Sequence, residues 1–113
     1  MQEINQDDYQ ISYNPELATV VCAGSFRLRG PEYTPILELM NSAAVAGHEI
    51  ITLDVCELQF LNSSGINTLS KFVLGLRKQT KSQLVIKGSS QHRWQKKSLK
   101  NLQRLLPNLR LEI

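Results

Sequence analysis

The sequence is poor in the residues that would make it fibrous, disulfide-bonded or membrane-bound. Only two cysteines occur in 113 residues, Cys22 and Cys56. Each sits in a strand-like apolar segment, without metal spacing and with no Cys or His close by in sequence. That leaves no disulfide framework and no metal-binding cluster, and reads as two reduced thiols packed as small apolar groups. Four prolines and six glycines exclude collagen and low-complexity linkers. No apolar run exceeds a handful of residues, whereas a membrane-spanning helix needs about 20. The opening Met1-Gln2-Glu3-Ile4 lacks the basic and apolar regions of a signal peptide, so a cytoplasmic location is expected. There is no Walker motif, no GxGxxG and no paired-carboxylate site.

What is present is ordinary globular material, 42% hydrophobic and 20% charged. The length suits one domain spanning 1–113, its core covering about residues 9–113. The net charge of +3 conceals a strong polarity. Residues 1–57 carry nine acidic and two basic side chains, a net of −7; residues 58–113 carry one acidic and eleven basic, a net of +10. Such a split points to an acidic partner or nucleic acid, or else to two faces of one fold attracting each other.

Along the chain, Ile4, Tyr9, Ile11 and Tyr13 alternate well enough for one short first strand within residues 1–14, closed by a turn at Asn14-Pro15-Glu16. Leu17–Ala23 is a second strand ending at Gly24. Residues 25–31 read as a loop. Thr34-Pro35 reads as a helix N-cap and first helical residue; Ile36, Leu37, Leu39, Met40, Ala43 and Ala44 share one arc, and Gly47 is the stop. Glu49–Val55 is a nearly continuous apolar run, which predicts a strand buried on both faces. A turn at Phe60–Gly65 leads into a helix whose core arc is Ile66, Leu69, Phe72, Val73 and Leu76, ending near Thr80. Gln83–Lys87 is a further strand. Gln91–Leu106 is a third helix with Trp94, Leu99, Leu102, Leu105 and Leu106 on one side. Leu109–Ile113 is a short last strand. The order β-β-α-β-α-β-α-β predicts an α/β domain: a mixed, mostly parallel sheet of four to five strands with three main helices.

The informative segment is Asn62-Ser63-Ser64-Gly65, between a buried strand and an amphipathic helix. Ser63 falls where the N-cap is expected, beside the first-turn N–H groups and the positive end of the helix dipole. A phosphate there would meet ready-made donors. Gly65, at the second or third helical position, lacks a Cβ and admits a close approach. Read alone, such a tetrapeptide is also a common cap and turn.

The wider segment LDVCELQFLNSSGINTLSKFV resembles the signature of STAS domains, the anti-sigma-factor antagonist family, in which a strand ending Leu-Asp-Leu precedes Asp-Ser-Ser/Thr-Gly-(Leu/Ile) at a helix start. Val20–Gly24 is similar to the family's second strand, and Thr34-Pro35 stands where it has Ala-Pro. The order of elements fits from about residue 9 to 113. The resemblance implies a STAS-like fold in a non-enzymatic, bacterial regulatory protein that docks on a partner and often frees a sigma factor or another target. It implies phosphorylation of Ser63, with Ser64 as second choice, by a GHKL-type serine kinase of the anti-sigma type, reversed by a PP2C-like phosphatase. No cofactor or metal is implied.

Two positions depart from the pattern. Asn62 replaces the motif's Asp, and Arg27 stands where the family commonly has an acidic residue. Arg27 would pair with a phosphate on Ser63 or with an acidic partner, or else be a solvated loop residue. On the helix after the motif, Asn67, Lys71, Leu74 and Lys78 share the arc opposite the core. Partner contact is therefore expected around Asn62, Ser63, Ser64, Gly65, Asn67, Lys71, Leu74 and Arg27. Arg93, Lys96, Lys97, Lys100 and Arg104 line about one third of the third helix: a solvated face, an acidic protein partner or, less favoured, nucleic acid. His48 and His92 are assigned no chemistry, and neither is placed to serve Ser63 as a base, so no catalytic residue is expected. The alternative to a phosphorylation switch is an adaptor, or a small-molecule or nucleotide sensor, that needs no phosphate.

Overall fold

The computed structural model describes residues 2–79 and 81–113. Its strands lie side by side in chain order: β1 (Gln2–Asn5), β2 (Tyr9–Asn14), β3 (Thr19–Phe26), β4 (Ile50–Leu61), β5 (Gln83–Lys87) and β6 (Arg110–Glu112). The first three pair antiparallel; β3 to β6 pair parallel, joined through α1 (Thr34–Val45), α2 (Ser63–Gln79) and α3 (Arg93–Gln103). The α/β class with a mixed, mostly parallel sheet and three helices holds. The strand count is six, because the expected single first strand is a hairpin folded about the polar stretch Gln6-Asp7-Asp8. The end of α2, expected near Thr80, lies outside the described residues.

Sequential strand order has a physical consequence. Right-handed crossovers that always step to the next strand leave their helices on the same side of the sheet. Burial follows: Ile11, Tyr13, Val20, Cys22, Ile51, Leu53, Val55, Leu84 and Ile86 are buried, while Ser12, Val21, Thr52, Asp54 and Lys87 on the other face are half-buried or exposed. The apolar run at 49–55 is thus buried on one face only, and Ile50 is 52% exposed. Hydrophobicity alone cannot distinguish a strand covered twice from one covered once.

Both central strands outrun their predicted ends. β3 continues through Ser25 and Phe26, and β4 through Leu61. In β4 the buried positions step by two at Ile51, Leu53 and Val55, then by three to Leu58 and again to Leu61. Two register shifts against β3 account for this, each adding one residue to β4. A bulge resets the alternation, so Leu58 and Leu61 keep facing the core. Beyond Asp54 the strand has no β5 partner. Side chains from the start of α3 replace it: Gln95 Nε2 donates to the carbonyls of Val55 (2.7 Å) and Leu58 (3.0 Å), and Trp94 Nε1 also donates to Leu58 O (3.0 Å). Gln95 Oε1 accepts the Ser89 N–H at 2.7 Å. Gln95 is 0% exposed, a buried polar residue among helix positions where sequence showed only leucines and Trp94. Trp94 is half-buried against the core, as expected of it.

Local boundaries shift for similar reasons. A 3-10 turn, Gly30–Tyr33, precedes α1, so Tyr33 occupies the N-cap without a side-chain cap bond and Thr34-Pro35 are the first two helical residues. Gly24 has φ +88°, and a Cβ there would lie 2.3 Å from the Asp8 carbonyl oxygen. Only glycine lets the β1–β2 turn lie this close across β3.

Two expectations test this account. Gln95→Leu keeps the volume but strands the Val55 carbonyl and the Ser89 N–H and leaves Leu58 O to Trp94 alone, and should lower unfolding free energy by about 2–4 kcal/mol. The exposed neighbour Lys96→Gln should stay within about 0.5 kcal/mol. Urea denaturation measures both, and an unchanged Gln95→Leu midpoint would mean that the bulge needs no such support. Both thiols are free. Burial, helped by Asp54, pushes Cys22 up to about 12, and burial with Asp54 also raises Cys56. In native protein at pH 8, intact mass should show half-buried Cys56 alkylated slowly and Cys22 not at all until the chain unfolds. The native state holds the Cys22 proton that an unfolded chain releases above about pH 9, so this contribution to stability is lost as pH rises from there toward 12.

Candidate functional site

The carboxyl ends of β3 and β4 lie side by side, Phe26 opposite Leu61. The chain leaves the sheet at Arg27 on one strand and at Asn62 on the next, so the topology brings together the two positions singled out from sequence. The Asn62 N–H donates to Phe26 O at 3.2 Å and its carbonyl accepts the Ile66 N–H at 3.0 Å, the first bond of α2.

Asn62 is therefore the N-cap of α2, and Ser63 is its first helical residue rather than the cap. The Asn62 amide makes three side-chain bonds. Its Oδ1 accepts from the Gly65 N–H (2.9 Å) and from the Tyr33 hydroxyl (2.7 Å), and its Nδ2 donates to Leu28 O (2.7 Å). Burial raises the Tyr33 pKa, which keeps that hydroxyl a donor. A carboxylate at position 62 could accept twice but could not donate to Leu28, which gives a physical reason for Asn in place of the motif's Asp. Gly65 is the third helical residue. A Cβ there would lie 2.2 Å from Leu61 Cδ1 and 2.8 Å from the Tyr33 hydroxyl. The close approach it admits comes from the protein's own side chains.

With the capping done by Asn62, Ser63 is exposed and its hydroxyl makes no hydrogen bond among the described residues; Ser64 is half-buried. Asn67, Lys71 and Lys78 follow on the exposed arc, with Leu74 half-buried among them, while Leu69, Phe72, Val73 and Leu76 are buried. The two N–H groups at Ser63 and Ser64 head the helix with the positive end of its dipole, so negative charge on Ser63 is electrostatically favoured there.

Arg27 is exposed and lies over the Phe60 ring, 4.7 Å from its centroid. It is neither a free loop cation nor aimed by any described contact at Ser63. Phe60, 38% exposed, was missed from sequence because β4 was expected to end at Val55. Tyr33 was missed too, since nothing in a Tyr before Thr-Pro announces a bond to a residue 29 positions on. The histidines are engaged elsewhere: His48 Nε2 with the Tyr13 hydroxyl at 2.7 Å, His92 Nε2 with Cys56 O at 3.1 Å. On α3, Arg93, Lys96, Lys97 and Lys100 are exposed, as is Arg104 just beyond its end. No described helix is long and apolar enough to cross a membrane.

Searched as a sequence, the chain matches no family model and no curated protein. Its fold does have counterparts. It is similar, at TM-score 0.73 and 12% identity, to a chain in the crystal structure of the diguanylate cyclase SiaD in complex with its activator SiaC from Pseudomonas aeruginosa, covering 99% of this chain and 98% of that one. SiaC of the same organism matches at TM-score 0.68 and 12% identity, over 100% of this chain and 98% of that one. Apo-SiaC matches at 0.69 and 10% identity over the full length of both. At such identities the likeness is one of fold.

The capping assignment has a direct test. Asn62→Ala removes three bonds at a half-buried site and should cost about 2–4 kcal/mol. Ser63→Ala should stay within about 0.5 kcal/mol. Equal losses in thermal and urea unfolding would return the cap to Ser63.

Proposed function

We propose that this chain is a regulatory protein–protein interaction module that docks on its partner through the Ser63 end of α2. The observation that carries the reading is the placement of Ser63: exposed, without a hydrogen bond at its hydroxyl among the described residues, and at the head of an exposed arc that continues through Asn67 and Lys71 beside the half-buried Leu74. The likeness of fold to SiaC, the activator of a diguanylate cyclase, supports a role exerted by binding another protein. The resemblance of Asn62-Ser63-Ser64-Gly65 to the STAS motif supports the finer reading. On that reading Ser63 is phosphorylated by a GHKL-type serine kinase of the anti-sigma type and restored by a PP2C-like phosphatase, and the phosphate switches docking. Adding nearly two negative charges to a contact surface opposes association by repulsion and desolvation. A change of about 1.4 kcal/mol shifts affinity tenfold. The engagement of both histidines away from Ser63 supports a binding role over a catalytic one.

A second reading, an adaptor that needs no phosphate, draws on the replacement of the motif's Asp by Asn62, whose amide serves structure. Incubation with a GHKL-type kinase from the same genome and ATP, followed by intact mass, separates the two. The switch predicts gain of one phosphate, lost in Ser63→Ala, and recovery of the partner at least tenfold lower with Ser63→Asp in a pull-down. No phosphate gain together with unchanged recovery would leave the adaptor.

A further inference from the structure

Leu28, whose carbonyl accepts from Asn62, also lines a cavity of about 420 Å³ between the β1–β2 turn and the 3-10 turn before α1. It is lined by Gln6, Asp7, Asp8, Tyr9, Leu28 and Glu32. Three carboxylates meet here without a cation: among the described residues the ion pair found is Arg110–Glu112, far along the chain. Glu32 Oε1 accepts the Arg29 N–H at 2.9 Å, and its other oxygen has no hydrogen bond among the described residues. Arg27, the basic side chain of the adjoining small cleft with Asp8 and Ser25, is turned over Phe60 instead.

A cluster of carboxylates alone says little, but Tyr9 adds a separate observation. Its ring is packed edge-on against Phe26, 5.1 Å between centroids, and the residue is only 9% exposed. Its hydroxyl makes no hydrogen bond among the described residues. Since those residues contain no fully buried side-chain oxygen lacking a partner, the hydroxyl reaches water, and Tyr9 lines this cavity. Buried phenols normally find a partner within the fold. This one is held open toward the carboxylates.

We infer that this cavity is a receptor for a guanidinium group, an arginine side chain presented by a protein partner. The size falls within the range of about 300–1,000 Å³ usual for small-ligand pockets. No group of three or more His, Cys, Asp or Glu among the described residues is arranged to hold a metal ion, so the carboxylates are spread out. A planar fork with five donors spans such spread acceptors better than a compact ammonium. Leu28 and the Tyr9 ring offer apolar surface to the methylene stem. That the arginine belongs to a protein rests on the docking reading above, because Leu28 joins this cavity to Asn62 and hence to the Ser63 end of α2. The preference for a guanidinium does not.

The test is an amide-resolved NMR titration of the full chain with N-acetyl-arginine amide. Saturable shifts are expected at Gln6–Tyr9, Leu28 and Glu32. The uncharged citrulline analogue should bind at least tenfold more weakly and the lysine analogue several-fold more weakly. Asp8→Asn with Glu32→Gln should weaken arginine binding at least fivefold. Tyr9→Phe, which removes an oxygen that no described residue bonds, should leave the fold intact and weaken binding several-fold. Absence of saturable shifts at these amides, equal binding of citrulline, or displacement of the same amides by calcium at lower concentration would each overturn the inference. No partner and no phosphate enter this titration, so its failure leaves the Ser63 reading standing, and failure of the pull-down leaves the pocket standing.

Discussion

A single planar amide ties together the three segments that meet where β4 leads into α2. Asn62 accepts from the Tyr33 hydroxyl and the Gly65 N–H and donates to the Leu28 carbonyl. It thereby fastens the loop after β3, the 3-10 turn before α1 and the first turn of α2 to the end of β4. The position requires a donor and an acceptor on one rigid group, which Asn has and an ionised Asp does not. One consequence bears on function. Because Asn62 does the capping, the serine after it has no structural duty at its hydroxyl, and its side chain stands in solvent where an enzyme or a partner can reach it.

Asn62 can occupy that place only because β4 is longer than the strand that flanks it. Past Asp54 the strand runs on without β5, and its carbonyls would be costly to leave unpaired beside a hydrophobic core. Gln95 and Trp94 satisfy them from α3, and the two bulges bring Leu58 and Leu61 back into phase with the core. Leu61 then packs under Gly65, where a side chain larger than hydrogen would push against it. Thus a buried glutamine on one helix supports, through the backbone of β4, the first turn of another.

The parts of this fold that could be read in the sequence are those set by periodicity and by local chemistry. The core arcs of α1 and α2, the stop at Gly47 and the sequence of crossovers follow from apolar spacing. The unread parts depend on partners distant in sequence. Bulges break the two-residue rhythm that defines a strand, so β4 looked finished at Val55. Gln95 looks like a surface residue until carbonyls 37 and 40 positions away require it. Ser63 and Asn62 are both good caps by composition, and the choice between them is made by Tyr33 and Leu28. Asn67 and Lys71 do lie on the exposed face of α2 as their spacing predicts, but Tyr33 and Phe60, which pack beside the head of that helix, carry no local signature.

The charge split along the chain takes on a different meaning once folded. Most of the basic residues of the second half lie along α2 and α3, a pattern that alone would call for an acidic partner. Yet the acidic first half does not spread evenly: Asp7, Asp8 and Glu32 line one cavity together with Leu28, the residue that Asn62 holds. Three carboxylates therefore gather across the 3-10 turn, while the basic side chains begin further along α2 at Lys71. An interface of mixed sign is harder to satisfy by a uniform polyanion than a purely basic one, since part of its surface repels the ligand. On the proposed docking reading, that disfavours nucleic acid at this end and suits a protein carrying charges of both signs. On the proposed switch, phosphate on Ser63 would shift the charge balance of this end toward the sign that the carboxylates already have.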